Sequence, residues 1–406
     1  MKRLRTISTR RLLVIVGAVA VLAVTAGIAQ GALSDNNPTP GAKRLNQAAV
    51  DALNAPKVDG ITASVTFTNN LIPAGTLPEG STSPLLSGAS GRLWVTNDGR
   101  FRIELQSSAG DAQVVSDGQQ VTVYDSSSNT TYRFDMPQRK KDAGAQGDQH
   151  KPVTLDQVNK AIAEVSKHWS LSGAQPTSTA GQPTYTVRIS PRNDGGLLGA
   201  AELAWDANNG IPLRAAVYAD NNASPVLELK ADDVSFAAVP KSDVTVSAPA
   251  GARVVDMSSR QQPAGHEQNG RPAKVSGVDA VRSKLDFPLV APDSVAGLPR
   301  QDVRLLQRDQ SAGAVAVYGK GLGAIVVLEH KPGQDKGQSA SPAGNGGGGN
   351  RDDRLRLPQV NINGATGTEL ATALGTVVTF ERNGVSYTVA GSVPAQAAEQ
   401  AARELQ

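Results

Sequence analysis

The stretch Gly91-Arg92-Leu93-Trp94-Val95-Thr96-Asn97-Asp98-Gly99-Arg100-Phe101-Arg102-Ile103-Glu104-Leu105 decides the fold. Apolar residues return at every second position on both sides of an Asn-Asp-Gly signal. A strand sends alternate side chains to opposite faces, so Leu93, Val95, Phe101, Ile103 and Leu105 belong to one face and Arg102 and Glu104 to the other. Gly99 supplies the left-handed backbone that a tight hairpin needs. The pattern continues through Gln113-Val114-Val115-Ser116, the Asp117-Gly118 turn and Val121-Thr122-Val123-Tyr124-Asp125. The spacing predicts a meander of adjacent antiparallel strands from Leu86 to Asp125.

Similar alternation recurs on either side. Ile61 to Phe67 reads as an earlier strand, with Ile61, Ala63, Val65 and Phe67 on one side, and Thr130 to Met136 as a later one. Further strands are expected at Tyr185 to Ile189, Ala200 to Trp205, Leu213 to Tyr218 and Val226 to Leu229. Asp206-Ala207-Asn208-Asn209-Gly210 opens like a calcium loop, but its glycine and distal glutamate are misplaced, and a hairpin turn explains it better. Two helices interrupt the strands. Lys43 to Leu53 carries Leu45, Ala48, Ala49, Ala52 and Leu53 at helical spacing and stops before Pro56. Thr154 caps a second helix, in which Val158, Ile162, Val165 and Trp169 recur at intervals of four, three and four.

The blocks Gly91-Arg92-Leu93-Trp94-Val95, Gly99-Arg100-Phe101-Arg102, Val114-Val115-Ser116-Asp117-Gly118 and Val121-Thr122-Val123-Tyr124-Asp125 together resemble the core of the LolA-like family of periplasmic lipoprotein carriers. So do Tyr185-Thr186-Val187-Arg188-Ile189-Ser190-Pro191 and Gly210-Ile211-Pro212-Leu213-Arg214 further on, and Ser247 to Val254 resembles the end of such a domain. The resemblance covers residues 43–256. It implies an α+β fold: an unclosed antiparallel half-barrel of about eleven strands, covered by helices, whose concave apolar face holds acyl chains. It places Leu53 of the first helix against the ligand, a position that core packing explains better. Best-known carriers have a latch arginine shortly after the Leu-Trp-Val strand. Here the comparable residue is Asn97 and the next arginine is Arg100, so the resemblance does not extend to that latch or to energy-coupled handover.

The chain has 406 residues, room for two domains of ordinary size. Its formal charge is +3, yet Lys2, Arg3, Arg5, Arg10 and Arg11 all precede the first acidic residue, Asp35. Without them 35 basic residues face 37 acidic ones, so nothing favours a nucleic-acid partner. The uncharged run from Leu12 to Ser34, including Leu12, Val16, Val21 and Ile28, would reach about 34 Å as a helix, enough to cross a bilayer core. Residues 1–34 fit a cleaved signal peptide and a retained anchor in the cytoplasmic membrane equally, with Ala29-Gln30-Gly31 as a cleavage site. Either reading puts the chain beyond residue 35 outside the cytoplasm. There are no cysteines, hence no disulfides and no lipidated cysteine.

Residues 35–42 form a short polar linker and 257–274 a second one. From 275 to 406 a smaller α+β domain is expected. It has a helix at Val278 to Leu285, strands at Val303 to Leu306, Ala314 to Tyr318 and Ala324 to Leu328, and a hairpin around Asn383-Gly384 between Thr376 to Phe380 and Val385 to Val389. A last helix follows Pro394. Residues 331–353, with Gly346 to Gly349, read as a disordered insertion. This domain resembles the one that follows a LolA-like domain in some sporulation and germination lipoproteins.

No chemistry-bearing constellation emerges. His150, His168, His266 and His330 are scattered, with no second ligand at metal-binding spacing, and Ser87-Gly88-Ala89-Ser90-Gly91 is not a nucleophile elbow. No catalytic residue, metal or cofactor is assigned, and the chain is not read as an enzyme. The candidate ligand-binding residues are Leu53, Val65, Phe67, Leu93, Val95, Phe101, Ile103, Leu105, Val121 and Val123. The expected partner is a lipid or an acylated protein. The alternative is an envelope regulator or scaffold that binds a membrane protein, as related proteins do that hold anti-sigma factors in check.

Overall fold

A computed structural model describes residues 38–71, 84–108, 110–136, 152–193, 196–247, 249–257, 275–308, 311–332 and 357–406. The expected membrane segment, most of the linker 257–274 and the low-complexity run from 333 to 353 lie outside the described residues.

The chain opens with helix α1 (Leu45–Leu53) and strand β1 (Gly60–Asn69). A one-turn helix α2 (Pro84–Ser87) leads into the meander β2 (Ala89–Thr96), β3 (Phe101–Ser107), β4 (Gly110–Ser116), β5 (Gln120–Asp125) and β6 (Thr130–Asp135). Helix α3 (Leu155–Val165) separates these from β7 (Trp169–Leu171), β8 (Gln175–Thr179), β9 (Gln182–Pro191), β10 (Leu198–Asp206), β11 (Pro212–Ala219) and β12 (Leu227–Ser235). Short α4 (Lys241–Val244) and β13 (Arg253–Asp256) finish this part. The remainder comprises α5 (Val278–Arg282), β14 (Ser294–Val295), β15 (Leu298–Arg308), β16 (Ser311–Tyr318), β17 (Ile325–His330), β18 (Gln359–Ile362), β19 (Ala365–Thr372), β20 (Gly375–Arg382), β21 (Val385–Gly391) and α6 (Ala395–Arg403).

β1 to β13 build one sheet in the order β13-β6-β5-β4-β3-β2-β1-β12-β11-β10-β9-β7, with β8 also paired to β9. Every pairing is antiparallel except β13 with β6. The path does not close, which is the unclosed antiparallel architecture expected, with thirteen strands instead of about eleven. The extra strands include β7 and β8, too short and too polar to carry a recognisable alternation. The sheet curls: β8 lies four places from β12 along the path yet touches it, and Ala180, in the β8–β9 turn, packs against a cluster that includes Ile61, Val65, Leu213 and Ala231.

The one-turn helices α2, which takes Leu86 out of the meander, and α4 are new, and the helix from Val278 ends at Arg282, short of Leu285. The two helices expected over the first sheet fall in place, with two differences. Trp169 begins β7 and is not the last turn of α3, because the chain turns at Ser166 and leaves Val165 exposed. The first helix starts at Leu45, two residues later than the apolar spacing suggests. Thr154 caps α3 with a complete capping box: its hydroxyl accepts from Gln157 N at 3.3 Å, and Gln157 Oε1 accepts from Thr154 N at 2.9 Å. Thr154→Ala is therefore expected to cost about 1 kcal/mol in urea unfolding, and an unchanged midpoint would show that the cap contributes nothing.

The second sheet runs β14-β15-β16-β17-β21-β20-β19-β18 and is antiparallel throughout. Asn383 and Gly384 have φ of 52° and 72°, the left-handed pair that a two-residue hairpin requires. The small face of α6 buries Ala398, Ala401 and Ala402, and Leu405 just past its end joins them, in a core with Tyr318, Val327, Val378 and Val389. Each apolar cluster belongs to a single sheet. Between the sheets, Leu197 N donates to Ser392 O and Ala373 N to Leu71 O, both at 3.1 Å.

Candidate functional site

The strand residues expected to meet a ligand share one face, and the register shows why. Val95 lies opposite Phe101, Leu93 opposite Ile103 and Gly91 opposite Leu105 across β2 and β3. Val65 faces Gly91, and Phe67 faces Ala89, across β1 and β2. Ile103 is opposite Val114, Val114 opposite Val123 and Ser116 opposite Val121, which brings β5 onto the same face. Opposed residues in a sheet point the same way, so Val65, Phe67, Leu93, Val95, Phe101, Ile103, Leu105, Val121 and Val123 form one inner surface.

That surface is sealed in some places and half open in others. Val65 is 3% exposed and Leu105 is 5% exposed, and Val95 is buried as well. Phe67, Leu93, Phe101, Ile103, Val121 and Val123 are only half buried. Helix α2 covers the end near Leu105: it touches β1, β3 and β4, and Leu85 packs into the cluster holding Leu105 and Ala112. Helix α1 covers another part, where Leu45, Ala48 and Ala52 pack on Tyr185, Val187, Leu203 and Trp205. The Tyr185 hydroxyl donates to Gly41 O at 2.6 Å and fixes the approach to that helix. Leu53 does not join the strand residues. It is 57% exposed at the end of α1, where Asn54 exchanges hydrogen bonds of 2.8 and 2.7 Å with Val153 just before α3.

Three further large side chains lie on this face beyond those that alternation within single strands picks out. Val114 sits inside the β4 strand, while Tyr132 and Phe134 lie opposite Val123 and Val121 on β6. The alternation in Thr130 to Met136 carries the signal for the last two, but only the register assigns them to the same side as Val121.

The outer face carries an ion-pair network beside a small buried cluster of Ala200, Ala216 and Tyr218. Arg214 reaches Glu228 at 2.6 Å, Glu202 at 2.8 Å and the Tyr218 hydroxyl at 2.7 Å, while Arg188 also reaches Glu202 at 2.8 Å. Burial pushes the Glu202 carboxyl up, but the hydrogen bonds from Arg214, Tyr218 and Arg188 outweigh it and hold Glu202 below the ordinary range. Trp94 lies beside the Arg102 guanidinium, 5.1 Å from its ring centre. Among the described residues no group of three His, Asp or Glu side chains could hold a metal ion. No described helix is long and apolar enough to cross a membrane. The turn at 206–210 is a hairpin: Asp206 Oδ1 accepts from Asn208 N and Asn209 N at 2.7 and 3.1 Å, and Gly210 has a φ of 72°.

A family described as "Predicted periplasmic protein (DUF2092)" matches residues 78–150. No curated protein matches the chain. Among solved structures, MucB in complex with MucA(peri) is 16% identical, with a TM-score of 0.40 over 89% of this chain and 96% of that one. An uncharacterized conserved protein from Thermus thermophilus is 13% identical, with a TM-score of 0.31 over 52% of this chain and 96% of that one. LolA superfamily protein NE2245 from Nitrosomonas europaea is 11% identical, with a TM-score of 0.21 over 50% of this chain and 99% of that one. Likeness at this level assigns neither ligand nor partner.

Proposed function

We propose that the first sheet binds an acyl chain, free or attached to a lipid or protein, on its half-buried inner face, and that it does so outside the cytoplasm. The observation that carries this reading is the placement of Leu93, Phe101, Ile103, Val121 and Val123 side by side on one face, half exposed, beneath helices that cover other parts of the same face. Transfer of a methylene from water to such a wall is worth about 0.8 kcal/mol, so a chain of ordinary length would gain on the order of 10 kcal/mol before the costs of ordering. The periplasmic description of the family that matches residues 78–150 supports the location. The same reading treats 43–256 and 275–406 as two domains, in keeping with apolar cores that do not cross between sheets.

Delipidated protein titrated with a fluorescent fatty acid should show saturable uptake, competed by unlabelled fatty acid. A linear, uncompeted signal would overturn the reading. A second reading, regulation through a membrane-bound partner, is favoured by one observation: Asn97 lies in an exposed turn and Arg100 is paired to Asp98 at 3.3 Å, so neither resembles the latch of a shuttling carrier. Recovery of a single-pass membrane protein in place of acylated proteins, on affinity capture from solubilised envelopes, would favour it.

A further inference from the structure

The second sheet buries two carboxyl groups that have no cation of their own. Glu329, on β17, is 1% exposed. Its Oε2 accepts from Val290 N at 3.0 Å, and its Oε1 has no hydrogen-bond partner among the described residues. Glu369, on β19, is also buried, with Oε2 likewise unpartnered, and it meets the Glu399 carboxyl of α6. Both stand on the buried face of the sheet: Glu369 meets α6 through Glu399, and Glu329 meets the segment before β14 through Val290. Glu329 lies opposite Tyr387, Tyr387 opposite Phe380, and Glu369 opposite Val378, two residues along from Phe380.

The cations nearby are committed elsewhere. Arg300 binds Asp293 at 2.8 Å and the Ala291 carbonyl, and Arg382 donates to the carbonyls of Leu405 and Ile362 at 2.5 and 2.7 Å. Arg403 is taken by Glu399 and by Asn361 O, and Lys331 pairs with the exposed Asp286 at 2.9 Å. Tyr318, wholly buried on the Glu329 face, has a hydroxyl without a partner among the described residues, and Tyr387 stands beside Glu329. Glu329 thus accepts from one amide and shares its face with two phenols that do not hydrogen-bond to it; Glu369 faces a second carboxyl, its arginine and an apolar sheet.

We propose that the second sheet is a pH-responsive element, held shut on α6 and on the segment around Val290 while Glu369 and Glu329 carry protons, and loosened at those two seams when they ionise. Burial of a lone carboxylate is costly, and a protonated carboxyl removes that cost and gains a donor. Burial, only partly offset by the Val290 amide, pushes Glu329 up to about 7, and burial together with Glu399 pushes Glu369 up. A folded-state pKa above the unfolded value means that the native form retains protons the open form releases. The stabilisation is fully present below about 4.5 and is lost as pH rises through about 7.

The test is hydrogen exchange of the full chain between pH 5 and 8, corrected for intrinsic exchange and read in peptides covering 325–330, 365–372 and 395–403. Opening should rise on the order of 50-fold across that range from Glu329 alone, and the rise should flatten in the Glu329→Gln, Glu369→Gln double variant. Protection independent of pH, or a rise that survives in the double variant, overturns the proposal. If the double variant does not fold, infrared titration of the wild-type chain decides. A buried protonated-carboxyl band that persists at pH 6 supports the proposal, and complete ionisation of the glutamates by pH 5.5 overturns it.

Discussion

Val121→Asp combined with Val123→Asp is expected to abolish acyl-chain uptake, whereas Thr122→Asp between them should leave it within about twofold. The three positions are consecutive on β5, and only the strand's alternation separates them: Val121 and Val123 lie opposite Phe134 and Tyr132 on the inner face, and Thr122 lies opposite Arg133 on the outer one. A carboxylate set against a hydrocarbon chain either loses hydration, at a cost of several kcal/mol, or keeps its water and holds the chain off the wall. Since about 1.4 kcal/mol is a factor of ten, affinity should fall at least ~100-fold. The fold should survive, because neither valine belongs to the buried clusters that hold the sheet together. Thr122→Asp places a negative charge beside Arg133 and should be tolerated. Fluorescence titration of the folded variants is the measurement. Equal affinity in the double variant and the wild type would mean that the ligand, if any, binds elsewhere.

That test depends on a register the sequence does not contain. Alternation in Arg100 to Leu105 specifies which side chains share a face within one strand, since the pleat has a period of two. It does not say which face of one strand joins which face of the next. Here hairpin turns do that work: Gly99 and Gly118, with φ of 84° and 89°, close β2 on β3 and β4 on β5, so the faces of neighbouring strands are fixed by chain geometry. For β6 the alternation is visible in the sequence but its face is not, and Tyr132 and Phe134 are placed only by pairing. β7 and β8 are illegible for a different reason. Gln175-Pro176-Thr177-Ser178-Thr179 offers no apolar period, and its pairing with β9 is secured by threonine hydroxyls, Thr177 to Thr184 at 2.9 Å and to Thr186 at 2.7 Å. Leu53 marks a third kind of limit. Helical spacing places it on the apolar side of α1, but it is the last residue of that helix, and while Ala52 beside it packs into the cluster with Tyr185 and Trp205, Leu53 itself stays exposed. The buried acids of the second sheet are likewise invisible, because Val-Val-Leu-Glu-His reads as a strand whether its glutamate points out or in.

Gly91→Ala should be the most damaging single methyl in the first sheet. Gly91 sits opposite Val65 on β1 and Leu105 on β3, midway along β2, where the backbone of β3 comes so close that an added Cβ would lie 1.7 Å from Glu104 O and 2.8 Å from its carbonyl carbon. Those atoms are main chain, fixed by the β2–β3 ladder, so no side-chain rotation can make room. One of the two strands has to move, and with it the packing of Leu105 under α2, a buried contact of the kind whose loss costs about 2–5 kcal/mol. The expected loss in urea unfolding is about 3 kcal/mol or more for alanine, and valine should prevent folding. Gly99→Ala separates this effect from ordinary glycine conformation. Its φ of 84° disfavours any side chain, but nothing lies within 4 Å of the new Cβ, so the cost should stay near ~1 kcal/mol. If the two alanine variants unfolded at the same urea concentration, the close approach of β3 at Gly91 would not be a constraint on the sheet. The inner face would then owe its order to side-chain packing alone, and Leu105→Ala would become the more severe substitution.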